Sequence, residues 1–221
     1  MPDPKRRFVA YSKVVKWKLR LTVLLVATLV AALFIRLTYR FWARQLGNSL
    51  VCTEQVRRAD ALLLENFDPP DYLVFERAAT LQQMGLAKRV FVPVPFEGDL
   101  QTPNEVYKGI AEVMARISRL QGMDLIPIQL KEPITLNADK QIVTVLMKER
   151  VTSVLVVSPA LRSRRASLVH EAVLVPAGIE VGCVPVFGSH TPTNWIRSWH
   201  GIEDVSEQTI KLIYYLFWVL L

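Results

Sequence analysis

Five short, almost uninterrupted apolar runs, each followed by a stretch with helical spacing, constrain this chain more than any other feature. The runs are Ala59–Leu64, Arg89–Val94, Leu125–Leu130, Ser153–Val157 and Glu180–Val184. Between them, residues 71–84, 104–121, 138–149 and 159–175 repeat apolar side chains at a helical period. A strand that is apolar on both faces needs cover on both, and strand–helix alternation supplies it by building a mostly parallel sheet. Gly85 and Gly178 each stand just past a helical stretch and just before a strand, where a helix stop belongs. The expectation is a three-layer α/β domain of Rossmann-like build, with ligands at the carboxyl ends of the strands.

The motifs of the commonest such enzymes are missing. The first strand runs into Glu65, Asn66, Phe67 and Asp68 rather than a G-x-G-x-x-G turn, and neither a P-loop nor a G-x-S-x-G elbow occurs. No cofactor is indicated. Cys52 and Cys183 have neither C-x-x-C spacing nor His or Cys neighbours, so no metal site is read. Two unpaired thiols are expected in preference to a disulfide.

Charge divides the chain in two. Residues 1–44 carry 10 Lys/Arg against 1 Asp, whereas residues 45–221 carry 17 against 19 Asp/Glu, so the net +7 belongs to the N-terminus alone. A near-neutral body excludes a nucleic-acid footprint on the main domain. The uncharged run Leu21–Ile35 follows the basic cluster. It is shorter than the roughly 20 residues of a spanning helix. Snorkelling Lys18, Arg20 and Arg36, with interfacial Trp17 and Tyr39, extend it to a transmembrane helix over residues 17–39. Bulky and basic residues follow where a signal peptidase would need small ones, which favours a retained anchor over a cleaved signal. The division expected is a basic cytoplasmic tail (1–16), an anchor (17–39), a linker (40–56) and the α/β domain (57–221). The heavier upstream charge places the N-terminus in the cytoplasm and the domain on the far side of the membrane. The apolar Ile210–Leu221 is too short to span, and reads as a helix packed on the domain rather than one lying on the bilayer.

Three arginines crowd one strand–helix junction, in Ser158-Pro159-Ala160-Leu161-Arg162-Ser163-Arg164-Arg165. Ser158 and Pro159 form an N-cap and first-turn pair that starts the helix. On a wheel, Leu161, Leu168, Val169 and Ala172 make its apolar face. Arg165 falls in the middle of that face, Arg162 near its edge and Arg164 toward solvent. A buried guanidinium needs a partner. Two roles stand open for Arg165: an ion pair with a carboxylate such as Glu132, or a clamp on an anionic ligand beside the positive end of its own helix. Glu132 is also the best candidate for an acid. Thr135 and Asn137 line a pocket or, in preference, cap a helix starting near Ala138. Asn66 and Asp68 are explained equally by binding and by the turn around Pro69 and Pro70. His170 falls on the polar side of its helix and is expected to be exposed. The aromatic loop holding His190, Trp195, Trp199 and His200 is expected to pack against the sheet edge or the membrane, ahead of serving as a sugar or acyl platform.

The order of these elements resembles the DUF218 (YdcF-like) family. The stretch from Ser158 to Ala166 resembles its H-x-x-R-A element, with Arg165 and Ala166 kept and Arg162 in place of His. Arg77 resembles the arginine of the family's first helix, Glu105 the acidic residue opening the second, and Glu207 the one preceding its last. Residues 132–141 resemble its E-x-x-S-x-N-T-x-E-N pattern, with Glu132, Thr135 and Asn137 retained in type. The likeness covers residues 57–217. It implies a cell-envelope protein handling a phosphate- or nucleotide-bearing envelope or polysaccharide precursor. Arg165 would clamp the anion, with Glu132 and Asn137 orienting the rest and Asn66, Asp68, Arg77, Thr135, Ser158 and Arg162 completing the pocket. The partners expected are the membrane and an anionic small-molecule or lipid-linked ligand. Glu65 departs from the family's Gly-Gly turn, and Lys140 and Gln141 from its Glu-Asn. Those losses remove acid/base candidates and leave a rival open, a non-catalytic membrane scaffold or sensor on the same fold.

Overall fold

The computed structural model describes residues 4–65, 71–96 and 102–219, with side chains from residue 17 to residue 217 of those ranges. Two compact units emerge, Met1–Arg44 and Gln45–Leu221. The first is helical: α1 runs Pro4–Ser49. From Trp17 onward this helix is long and apolar enough to cross a membrane, with a window of mean hydropathy 2.3 and none of it buried.

The second unit carries the alternation read from the sequence. Its elements are β1 (Ala61–Leu64), α2 (Tyr72–Gln83), β2 (Arg89–Pro95), α3 (Glu105–Ser118), β3 (Met123–Ile128), α4 (Ile134–Lys148), β4 (Ser153–Pro159), α5 (Ala160–Leu174), β5 (Glu180–Val186) and α6 (Trp199–Tyr214). The five strands are all parallel, in the order β3-β2-β1-β4-β5. Alternate residues of each strand feed opposite cores. Leu62, Leu64, Val92 and Val157 pack with Phe75 and Ala111 beneath α2 and α3. Ala61, Leu63, Phe91 and Val156 pack with Ile142 and Leu174 beneath α4 and α5. The result is a helix–sheet–helix sandwich, and the period-2 pleat explains why every strand had to be apolar throughout. Gly85 and Gly178 take positive φ of 72° and 82° at the stops expected for them.

Four expectations are overturned. Cys52 and Cys183 form a disulfide across a separation of 131 residues. The chain after α1 does not hang free: Gln55 N donates to Cys183 O, and Leu50 is buried. That course brings Cys52 against β5, which spacing along the sequence cannot reveal. Ser158 does not cap α5, because β4 continues through Pro159 and Ser158 is wholly buried as a strand residue. Helix α4 begins at Ile134, behind the cis Glu132–Pro133 bond, so Thr135 and Asn137 lie inside it rather than before it. The C-terminal segment is only partly packed: Tyr215 is buried, but Ile210, Ile213 and Phe217 are exposed.

Candidate functional site

β2 and β3 are added on one side of β1, and β4 and β5 on the other, so the sheet reverses its winding between β1 and β4. Parallel sheets open a crevice at that switch, at the carboxyl ends of the strands. Here it widens into a cavity of about 740 Å³, within the range that holds a small organic ligand. The β4–α5 junction supplies Pro159, Leu161, Arg162 and Arg165; the β3–α4 loop supplies Glu132 and the first turn of α4 Thr135; Glu65 follows β1; His190 follows β5; α6 contributes Asp204, Lys211 and Tyr214, and Tyr215 follows it.

The floor is one connected polar network. Arg165 Nη1 donates to Thr135 Oγ1 (2.8 Å), Nη2 lies 3.5 Å from Glu65 Oε1, and the guanidinium sits 5.5 Å over the Tyr215 ring. Ser158 Oγ donates to the other oxygen of Glu65, and the backbone N–H of Thr135 donates to Tyr215 Oη (3.2 Å). Both charged side chains of the ion pair are nearly inaccessible, at 8% for Arg165 and 5% for Glu65. The question posed by an arginine on an apolar helix face is thus answered by Glu65, Thr135 and Tyr215, with Ser158 behind Glu65. The Nε of Arg165 has no hydrogen-bond partner among the described residues.

A second polar rung lies one helical turn further along α4. Asp139 Oδ2 stands 2.9 Å from His170 Nδ1, both side chains sealed from solvent. This overturns the exposed His170 expected from its helix alone: the face polar by the wheel is the face that α4 covers. Burial pushes the Asp139 carboxyl up, against the pull of His170. Burial pulls the His170 imidazole down, but the charge and hydrogen bond of Asp139 outweigh it and leave it above its ordinary value.

At the cavity wall, α5 begins without a side-chain cap. A helix cannot satisfy its first-turn N–H groups internally, and the first-turn residues Ala160, Leu161 and Arg162 line the cavity. Asp204 is half-buried, and burial raises its carboxyl against the opposing charges of Arg162 and His190. Lys211 pairs with Glu207 at 2.5 Å, and that hydrogen bond holds the Glu207 carboxyl below its usual range.

Of the residues singled out from the sequence, Glu132, Thr135, Arg162 and Arg165 line the cavity, with Ser158 behind Glu65 in its floor. Glu132 is not the partner of Arg165; that role is taken by Glu65, the residue that departs from the resembled Gly-Gly turn. Asn137 neither caps nor lines. Its Nδ2 donates to the carbonyls of Lys131 and Glu132 (3.2 and 2.9 Å) and holds the loop that presents Glu132. Arg77 is drawn off to Glu54 (2.9 Å), outside the cavity. Lys140 is exposed on α4, and Glu105 pairs with Lys108 at the start of α3. Asn66 and Asp68 lie outside the described residues. Sequence reasoning missed Asp139 and His170 as a pair, and Glu65, Asp204, Lys211 and Tyr215 as pocket residues. The only available signal was a surplus of charged or polar residues at helical spacing on elements otherwise read as packed.

No family model matches the chain, and no curated protein matches it.

Proposed function

We propose that this chain is a single-pass, membrane-anchored protein of DUF218 type that binds a phosphate-bearing ligand of the cell envelope, of the nucleotide or polysaccharide-precursor class, in the cavity at the β1–β4 switch. The observation that carries the reading is the uncapped N-terminus of α5 opening beside Arg162 into a cavity of ligand size. Such a terminus offers N–H donors and a positive dipole end to an anion, and Arg162 adds a charge-assisted donor. Arg165 contributes from behind: with its charge matched by Glu65, it shapes the floor more than it clamps. Glu132 and Tyr214 stand where the uncharged part of a ligand would be oriented.

The membrane and orientation parts rest on separate supports. The α1 helix has the length and hydropathy of a span, and the basic charge upstream of it favours a cytoplasmic N-terminus. A disulfide is maintained in oxidising compartments, so the Cys52–Cys183 bridge favours a domain on the extracytoplasmic side. The scaffold reading draws on one specific observation, that the guanidinium of Arg165 is already occupied by Glu65, Thr135 and Tyr215.

The two readings part in a melting experiment on the detergent-solubilised full chain with nucleotides, nucleotide-sugars and polyprenyl-phosphate mimics. A ligand present at 100 times its Kd adds about 2.7 kcal/mol to the folded state. A rise in melting temperature with one phosphate-bearing class is expected. No rise with any of them would leave the scaffold.

A further inference from the structure

The cavity leaves unexplained the outer face of α6. Trp199, Ile202, Ile210 and Ile213 fall within one stripe of this helix at intervals that keep them on one side. All four are exposed, Trp199 by 73% and Ile210 by 69%. The opposite side of the helix, with Gly201, Val205 and Gln208, is the buried one. Leu216 and Phe217 carry the exposed apolar surface beyond the helix end. An apolar stripe of this length on a soluble face marks an interaction site.

We infer that this face of α6 lies in the interfacial layer of the bilayer that holds α1, so that the domain is fixed to the membrane at a second place. The occupant follows from the course of the chain. Only a few residues separate the end of the first unit at Arg44 from Leu50, which is buried in the second, and Cys52 is bonded to β5. A domain tethered so briefly meets the membrane at high effective concentration. Close packing also links that entry point to α6. A Cβ on Gly47 would stand 2.7 Å from Pro192 Cα, and one on Gly201 would stand 2.2 Å from the carbonyl oxygen of Trp195. Residue 47, the 192–195 turn and the first turn of α6 therefore touch backbone to backbone, within a single unit. The chemistry of the stripe suits lipid better than water: Trp199 is of the aromatic type that settles at headgroup depth, and Phe217 adds exposed apolar surface beyond it. Of the bordering acids, Glu207 is paired with Lys211.

This inference rests on the membrane anchor in the reading above but not on the anion site. It is tested with the full chain in lipid nanodiscs, carrying p-benzoylphenylalanine at Ile213 in one sample, at Leu29 in α1 in a second and at Lys140 in a third. After irradiation, Ile213→p-benzoylphenylalanine should give lipid adducts in the same mass range as the Leu29 probe, several-fold above the Lys140 background. Adducts at Leu29 with none at Ile213 would overturn the proposal while leaving the anchor standing. A crosslinked dimer at Ile213 in place of lipid adducts would assign the face to a second copy and equally overturn it. Absence of adducts at both Leu29 and Ile213 would remove the anchor as well.

Discussion

Glu65 and Arg165 show why a single residue cannot be read without its partner. A buried ion pair contributes little net stability, because desolvation offsets most of the attraction, yet removing one member leaves a charge that nothing compensates. Arg165→Met is accordingly expected to lower unfolding free energy by about 3–5 kcal/mol, while Glu65→Gln combined with Arg165→Met recovers much of the loss. Urea denaturation of the two variants checks this; equal losses in both would show that the pair is not what the cavity floor depends on. The Asp139–His170 rung makes a pH statement. The imidazole is held above its ordinary 6.5, so the folded state keeps a proton that the unfolded chain has released. Its contribution is fully present below that pH and is lost as pH rises through the folded value. Asp139, also raised, acts with the same sign from 3.8 upward, whereas Asp60 is lowered by its hydrogen bonds from Thr152 and Ser153 and adds stability that disappears on acidification. Melting temperatures should fall from neutral pH toward alkaline pH in the wild type. The Asp139→Asn, His170→Gln double variant should show a flatter alkaline limb; a limb unchanged in slope would contradict the assignment.

At the scale of elements, what could be read from sequence was what local periodicity controls. Strand cores and helix positions followed from apolar spacing, and the glycine stops at Gly85 and Gly178 from backbone freedom. What was lost lay at junctions and between helices. Helix α4 starts at Ile134, directly after Pro133, and Ser158 stayed in β4, its hydroxyl used by Glu65 rather than by a helix end. His170 was misplaced because a wheel drawn on α5 alone does not know that α4 brings Asp139 to the same face. Sites assembled from four elements are invisible to any one of them, and only Glu132, Thr135, Arg162 and Arg165 of the cavity lining were anticipated. Element contacts also make a sharp prediction at Gly201, where an added Cβ would collide with the Trp195 carbonyl. Gly201→Ala must push α6 from the turn before it, at a cost of about 1–3 kcal/mol typical of overpacking. A melting temperature equal to wild type would show the contact to be slack.

Taken whole, the molecule is a helix long and apolar enough to cross a membrane, followed by a disulfide-tied segment and a parallel α/β domain whose crevice combines an uncapped helix end, one arginine at the wall and a self-neutralised polar floor. The proposed function divides labour between two arginines of the cavity: Arg165 holds the floor, and Arg162 would meet the ligand. A hydrogen bond to a charged group contributes about 1.5–3 kcal/mol, which corresponds to roughly tenfold or more in affinity. The decisive measurement is calorimetric titration of the full chain and of Arg162→Ala with the phosphate-bearing ligand that raises the melting temperature most. If Arg162 binds the ligand, Arg162→Ala has a Kd weakened at least about tenfold and an unliganded melting temperature close to wild type. Undiminished affinity in Arg162→Ala, or no measurable binding by the wild type to any member of the series, would contradict it.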